Sequence, residues 1–162
     1  MTILPRWMRR ASSAVVCVTL VMLGRTLPAA ASLGGDVSTV QADRLHMQGA
    51  VIQVTTTGPY TIHEMRAASG TSVREFVSPG GTVFGVVWQG PFMPDLRQVL
   101  GAYFDPYQRA AQAAQARRSG HGPLLIHEPD FIVEQSGHPR AFFGRAYVPQ
   151  LMPAGVLADV IR

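Results

Sequence analysis

Lysine is absent from the 162-residue chain, and cysteine occurs once, as Cys17 within an apolar N-terminal stretch. Without lysine, the chain cannot form a Schiff base with a substrate or with pyridoxal phosphate, and it has no lysine for a phosphate-binding loop. Without cysteine beyond that stretch, it has no disulfide, thiol nucleophile or thiolate zinc site. The Gly-x-Ser-x-Gly, Ser-x-x-Lys, His-Glu-x-x-His and Gly-x-Gly-x-x-Gly motifs are also missing. These absences argue against the common hydrolase, metalloprotease and dinucleotide-binding families.

Positive charge is concentrated near the N-terminus. Four of the 14 arginines lie in residues 1–31, where there is no acidic residue, and the other ten are balanced by the ten Asp and Glu residues. A nucleic-acid-binding domain needs a basic face on its folded body. The neutral body therefore predicts a protein that does not bind nucleic acid.

Residues 1–31 have the pattern of a secretory signal peptide. Basic residues up to Arg10 precede the apolar stretch 11–23, which is shorter than the about 20 residues that a membrane span requires. The small residues Ala29–Ala31 form an A-x-A site, which predicts cleavage between Ala31 and Ser32. We expect a product in the periplasm or outside the cell, without a stable membrane anchor after cleavage.

The length of residues 32–162 is typical of a single domain. Seven segments rich in β-branched and aromatic residues are separated by turn-forming residues, and short connections between neighbouring strands require antiparallel pairing. The predicted strands are 51–57, 60–66, 71–78, 82–89, 124–127, 131–135 and 140–148. The sequence Ser78–Gly81 predicts a type II turn with glycine at its third position. Alternation in the following strand predicts that Phe84, Val86 and Trp88 share one face.

Apolar residues with helical spacing follow these strands, from Leu96 to Tyr107. Asp95 is predicted to cap this helix, and Asp105 with Pro106 to break it and start a second helix that ends near residue 118. A short helix is predicted over residues 37–47 as well. The fold class predicted is α+β, an antiparallel sheet of about six to seven strands with a kinked central helix packed on one face.

Candidate site residues are few. The catalytic candidates are His63, His127 and Glu128, and the candidates for a metal site are His121, His127 and His138. No local ligand spacing joins these histidines, so we predict neither a metal nor another cofactor. The carboxylates Glu64, Glu75, Glu128 and Asp130 are interpreted as exposed charges. Trp88 belongs to the core by its pattern, but it precedes a Gly-Pro turn where a partner could contact it.

Several short motifs together resemble a bacterial family catalogued as domain of unknown function 2844. The segments that support the resemblance are 31–36, 70–79, 83–84, 88–91, 94–96, 100–104, 120–123, 136–138 and 143–146. They span nearly all of residues 32–162. The resemblance implies one exported proteobacterial domain, and it supplies no catalytic residues.

Two classes of function remain open from the sequence. The first is a non-enzymatic binding or accessory module that contacts an envelope protein or another envelope component, since strand edges are natural sites for a partner. The alternative is a small hydrolase or lyase that uses histidine and carboxylate, or a histidine metal binder.

Overall fold

The computed structural model describes residues 32–37, 50–117, 120 and 122–162. Its seven strands agree with the predicted segments to within three residues. They are β1 (Ala50–Thr57), β2 (Tyr60–Arg66), β3 (Ser72–Val77), β4 (Val83–Gly90), β5 (Leu124–His127), β6 (Ile132–His138) and β7 (Ala141–Tyr147). Residues 38–49 lie outside the described residues, and they include almost all of the helix predicted over 37–47.

The seven strands form one sheet in the order β1-β2-β3-β4-β7-β6-β5, and every neighbouring pair is antiparallel. Between β4 and β5 the chain forms α1 (Leu96–Leu100), a 3-10 turn (Gly101–Tyr103) and α2 (Phe104–Ala116). The helical segment packs on one face of the sheet, so the predicted α+β fold is confirmed. No helix in the described part of the chain is both long enough and apolar enough to cross a membrane.

Each face of the sheet has its own core. The face that contacts the helical segment, here called the helix face, includes Val83, Val86 and Trp88 of β4. On the opposite face, here called the tail face, Phe84 and Val87 of β4 pack with side chains of the segment 152–161. Apolar side chains on both faces of β4 are buried because this strand lies at the centre of the sheet.

The predicted grouping of Phe84 with Val86 and Trp88 was wrong. Val77 pairs with Val83 while Phe76 pairs with Gly85, so Phe84 is an extra residue in β4. Such a bulge breaks the alternation of faces along a strand. It moves Phe84 to the tail face and leaves Val86 and Trp88 on the helix face.

The turn before β4 also differs from the prediction. A positive φ of 82° occurs at Gly81, whereas Gly80 does not have one. A type II turn would need the positive φ at Gly80, so the predicted turn type was wrong. Gly81 donates a backbone hydrogen bond of 2.9 Å to Ser78, and the left-handed glycine follows the turn.

The helical segment is interrupted at Gly101 rather than at Pro106. Asp95 caps α1 as predicted, since its Oδ1 accepts a 2.9 Å bond from the Arg97 N–H. Gly101 has φ 50° and ψ −120°, and a β-carbon there would lie 2.1 Å from Ser32 Oγ. Pro106 is the third residue of α2, a position in the first turn where its missing N–H costs no helical hydrogen bond.

Candidate binding surfaces at one end of the sheet

Phe92 is held at the end of β4 by a buried side chain. The Thr71 hydroxyl donates a 2.7 Å bond to the Phe92 carbonyl and accepts a 3.4 Å bond from the Phe92 N–H. Thr71 is 1% exposed. A β-carbon at Gly90 would lie 2.5 Å from Thr71 Cα, so only glycine allows this close approach. The segment that leads out of β4 is therefore fixed at its backbone.

Three large apolar side chains at this end of the sheet are exposed. Phe92 is 56% exposed, Met93 38% and Phe143, which pairs with Gln89 across β4 and β7, 36%. A depression of about 340 Å³ lies beside Phe92 and Met93, and one of about 280 Å³ lies between Pro91 and Phe143. We call Phe92, Met93, Phe143 and these two depressions the Phe92 surface.

A third depression adjoins this surface on the tail face. It has a volume of about 340 Å³ and is lined by Glu64, Arg66, Gly70, Ser72, Arg74, Val87 and Gln89. Its side chains come from neighbouring positions of β2, β3 and β4. The segment 152–161 packs farther along the same face, beside Ile62 and Phe76. We call this feature the arginine depression.

A charged cluster on the tail face holds the segment that follows β7. Arg145 contacts Glu134 through Nε at 2.8 Å and Nη2 at 2.7 Å. Its Nη1 donates to the carbonyls of Ala158 at 3.3 Å and Ile161 at 3.2 Å. His127 Nε2 lies 3.2 Å from the other oxygen of Glu134. The cluster therefore links three strands to the C-terminal segment, and its geometry is that of a structural clamp.

The family comparison covers almost all of the described residues. A family model described as protein of unknown function (DUF2844) matches residues 29–161. The chain belongs to this family. No curated protein and no solved structure matches the chain.

In this DUF2844 member, replacing Arg145 by methionine is expected to lower the free energy of unfolding by about 2 kcal/mol. The value lies between those of exposed and fully buried ion pairs, because the Arg145 and Glu134 side chains are each 24% exposed. Urea unfolding measures the change. Arg97→Met is the matched control, since Arg97 and Asp105 are 3.9 Å apart and about 70% exposed. Equal losses in the two variants would contradict the clamp.

The catalytic candidates do not share a site in the DUF2844 fold. His63 lies on β2 with its neighbour Met65 in the helix-face core. His127 lies on β5 at the other edge of the sheet, where its side chain contacts Glu134 on the tail face. Glu128 is an exposed residue immediately after β5. His127 thus contacts Glu134, which in turn contacts Arg145. Neither Glu134 nor Arg145 was among the candidate site residues from the sequence.

Two of the three histidines proposed for a metal site, His127 and His138, lie in the described part of the chain, and they are far apart. His127 pairs with Ile132 at one end of β6, while His138 ends the same strand. Six residues of strand separate these positions by about 20 Å. His121 lies outside the described residues. Within those residues, no three side chains of His, Cys, Asp or Glu are grouped closely enough to hold a metal ion.

Trp88, the residue that the sequence offered as a possible partner contact, is 0% exposed in the structure. Its ring covers Gly144 on the helix face, as the core interpretation of its pattern predicted. Ala31 lies outside the described residues, and Ser32 packs against Gly101. The exposed apolar residue near Trp88 is Phe92, four positions later in the sequence. Its position directly after the Gly90-Pro91 pair is the feature of the sequence that could have indicated its exposure.

The interpretation of Glu75 as an exposed charge was wrong. Glu75 is 1% exposed and shares the helix face with Val73 and Val77. His63 lies directly across from it on β2. Burial lowers the pKa of the His63 imidazole from its ordinary value of 6.5. The two groups therefore form a pair of polar positions next to the helix-face core.

Stability is expected to fall below about pH 7 because of His63. Its pKa is lower in the folded chain than in the unfolded chain, so the unfolded state takes up the proton first as the pH falls. The stabilisation by neutral His63 is complete above pH 6.5 and is lost as the pH falls toward the folded pKa. Free energies of unfolding between pH 8 and 5 should depend less on pH in His63→Gln. His138→Gln is the control, since His138 is exposed. Parallel curves for wild type and His63→Gln would contradict this assignment.

Proposed function

We propose that the protein is a non-enzymatic binding module of the cell envelope, which binds an acidic and apolar segment of an envelope protein on the Phe92 surface. The main support is the state of Phe92, whose backbone is fixed by buried Thr71 while its ring is 56% exposed. Aromatic side chains that are rigid before binding lose little conformational entropy in a complex and often dominate its affinity.

The charge around the Phe92 surface supports an acidic partner. Arg140 lines the depression between Pro91 and Phe143, and none of the ion pairs between described residues involves it. Asp95, at the edge of the other depression, accepts the capping bond of α1. A carboxylate on the partner would therefore find an available guanidinium in the depression of the exposed Phe143 ring.

The arrangement of titratable groups supports a role in binding rather than in catalysis. Burial raises the pKa of Tyr107 and of Tyr147, which keeps both phenols protonated at neutral pH. Tyr107 receives a 3.0 Å bond from Gln135 on the helix face, whereas Tyr147 packs in the tail-face core. Neither residue lines the Phe92 surface. The shifted groups His63, Tyr107 and Tyr147 therefore do not form an acid-base pair there.

Export through residues 1–31 is part of the proposal. Leu33, the second residue after the expected cleavage point, is 1% exposed, and its N–H donates a 3.1 Å bond to Val99. A domain that uses the residue next to Ser32 in its core is compatible with cleavage directly before Ser32. N-terminal sequencing of the protein from the periplasmic fraction should begin at Ser32. Recovery of the full leader in the cytoplasmic fraction would contradict export.

Photo-crosslinking in cells tests the surface itself. A benzophenone amino acid is placed at position 92, 93 or 143, and in a control at Leu157, which is 69% exposed on the segment after β7. We expect one reproducible adduct with an envelope protein from the first three positions and none from position 157. Equal adducts from all four positions, or none from position 92, would contradict the proposal.

Binding measurements with the purified protein and its crosslinked partner then give the contribution of Phe92 to the affinity. Phe92→Ser is expected to weaken binding to the crosslinked partner by at least about tenfold, as for a central aromatic contact. Leu157→Ser makes a comparable change elsewhere and should leave the affinity unchanged. Titration calorimetry measures both variants, and an unchanged affinity in Phe92→Ser would exclude this surface.

A further inference from the structure

The arginine depression has a regular arrangement of polar side chains on the tail face. Arg66 pairs with Ser72 and Glu64 pairs with Arg74 across β2 and β3. Ser72 pairs in turn with Gln89 on β4. Arg66 and Arg74 are thus diagonal neighbours in the sheet, with Cα atoms about 7–8 Å apart. Two guanidinium groups, a hydroxyl and a carboxamide are brought to one concave area of about 340 Å³.

The two arginines differ from Arg145, which is fully engaged in the clamp. None of the ion pairs within residues 50–117 and 122–162 involves Arg66 or Arg74. Glu64 lies across from Arg74, yet no ion pair forms between them within 4.0 Å. Adjacent cations repel one another unless an anion lies between them. The depression therefore presents positive charge that the described part of the fold does not neutralise.

We infer that the arginine depression is a binding site for a carboxylate that adjoins an amide group, as at the C-terminus of a peptide. Two arginines and Glu64 give the site a net charge of +1, which one carboxylate neutralises and which a phosphate dianion would exceed. Arginine binds a carboxylate through two parallel N–H bonds. This inference does not depend on partner binding at the Phe92 surface.

The rest of the lining suits the group next to the carboxylate. Gln89 offers both a donor and an acceptor, and Ser72 offers a hydroxyl, so an amide can be bound on both of its polar atoms. Val87, the apolar residue of the lining, is 1% exposed, so the ligand is recognised mainly through its polar atoms. A volume of about 340 Å³ is near the lower limit for small-ligand pockets, which favours a ligand of one or two residues.

Calorimetric and NMR titration of the purified full chain with N-acetyl-alanyl-alanine tests the inference. We expect the acid to bind with a Kd below about 1 mM and to shift the backbone resonances of Ser72 and Gln89. The C-terminal amide of the same peptide, which lacks the negative charge, should bind at least about tenfold more weakly. Inorganic phosphate is titrated separately and should also be weaker than the acid.

Variants locate the site. Arg74→Gln and Arg66→Gln should each weaken binding of the acid by at least about tenfold. Arg109→Gln, which removes an exposed arginine from α2, should leave the Kd unchanged. Thermal unfolding checks each fold, and exposed Arg66 keeps the test available if the Arg74 variant is unstable. Phe92→Ser should leave the Kd unchanged, which separates this site from the proposed partner surface.

Three results would overturn the inference. The first is equal affinity for the acid and the amide, which would show that the carboxylate is not recognised. The second is tighter binding of phosphate than of the acid, which would make this a phosphate site. The third is no binding of the acid, or binding that Arg66→Gln and Arg74→Gln leave unchanged.

Discussion

Replacing Gly144 by alanine is expected to lower the free energy of unfolding by about 3 kcal/mol or more, the upper part of the range for overpacked cores. A β-carbon at this position would lie 2.1 Å from Trp88 Cζ2 and 2.3 Å from Cε2. Trp88 is 0% exposed and belongs to the helix-face core, so its ring can move only by displacing other core side chains. The added methyl group must displace either the ring or the β7 backbone. Thermal and urea unfolding should both detect the loss.

Gly80→Ala is the control for this substitution. Gly80 has no positive φ, and a β-carbon there would meet only Ser78 Oγ, at 3.8 Å. Its effect should be within about 0.5 kcal/mol, as for other unconstrained surface positions. Trp88→Phe combined with Gly144→Ala should cost less than the sum of the two single changes, since the smaller ring leaves space. Simple additivity would show that Trp88 is not the residue displaced.

Replacing Ile161 by alanine is expected to cost about 3 kcal/mol, within the range for large-to-small changes in a core. Ile161 is 0% exposed, and its side chain lies 3.0–3.4 Å from the position of a β-carbon on Gly85. It packs in the tail-face core with Phe76, Phe84 and Tyr147. The loss should shift the urea midpoint, and hydrogen exchange should quicken over the segment 156–162.

Leu157→Ala serves as the control because it lies on the same segment and is 69% exposed. It should change stability by less than about 0.5 kcal/mol. If Ile161→Ala had an equally small effect, and exchange over the segment were already fast in the unsubstituted chain, the C-terminal segment would not be part of the core. That result would also remove the structural role assigned to Arg145.

Local patterns in the sequence predicted most of the strands. The bounds of β2 and β5 agree with the prediction, because both segments are bordered by strong turn residues. The helical segment was predicted from the spacing of Leu96 through Tyr107, and α2 ends at Ala116, within two residues of the expected end. Antiparallel pairing of strands that follow one another closely was predicted from their short connections, whereas the pairing of β4 with β7 was not. These features depend on neighbouring residues, which a single sequence displays directly.

Other features depend on contacts between distant residues. The helical segment breaks at Gly101, where Ser32 packs against it. The sequence instead predicted a break at Pro106, because proline is a local signal. The Phe84 bulge changes the register with β3, and no local signal marked it. Glu75 lies on the face of buried Val73 and Val77, but the interpretation of the carboxylates as exposed charges considered only their charge. Ile161 was missed since a single apolar residue in a tail has no periodicity.

The candidate surfaces show the same limit. Arg66 and Arg74 are eight positions apart in the sequence, and only the register of β2 with β3 makes them diagonal neighbours. Phe92 was close to the residue chosen from the sequence, Trp88, but the backbone bonds from Thr71 are visible only in the structure. Burial distinguishes these two aromatic residues, and burial is not a local property.

The positions of Leu33 and Ile161 have a consequence for the order in which the fold can close. Leu33 belongs to the helix-face core, and Ile161 belongs to the tail-face core of the same sheet. A chain that emerges N-terminus first from a ribosome or a translocation channel has Leu33 available from the start. It cannot complete the tail-face core until Ile161 has also emerged. Central β4 lacks its partner β7 until residues 141–147 have emerged. Both cores of the sheet can therefore be completed only when almost all of the described residues have emerged.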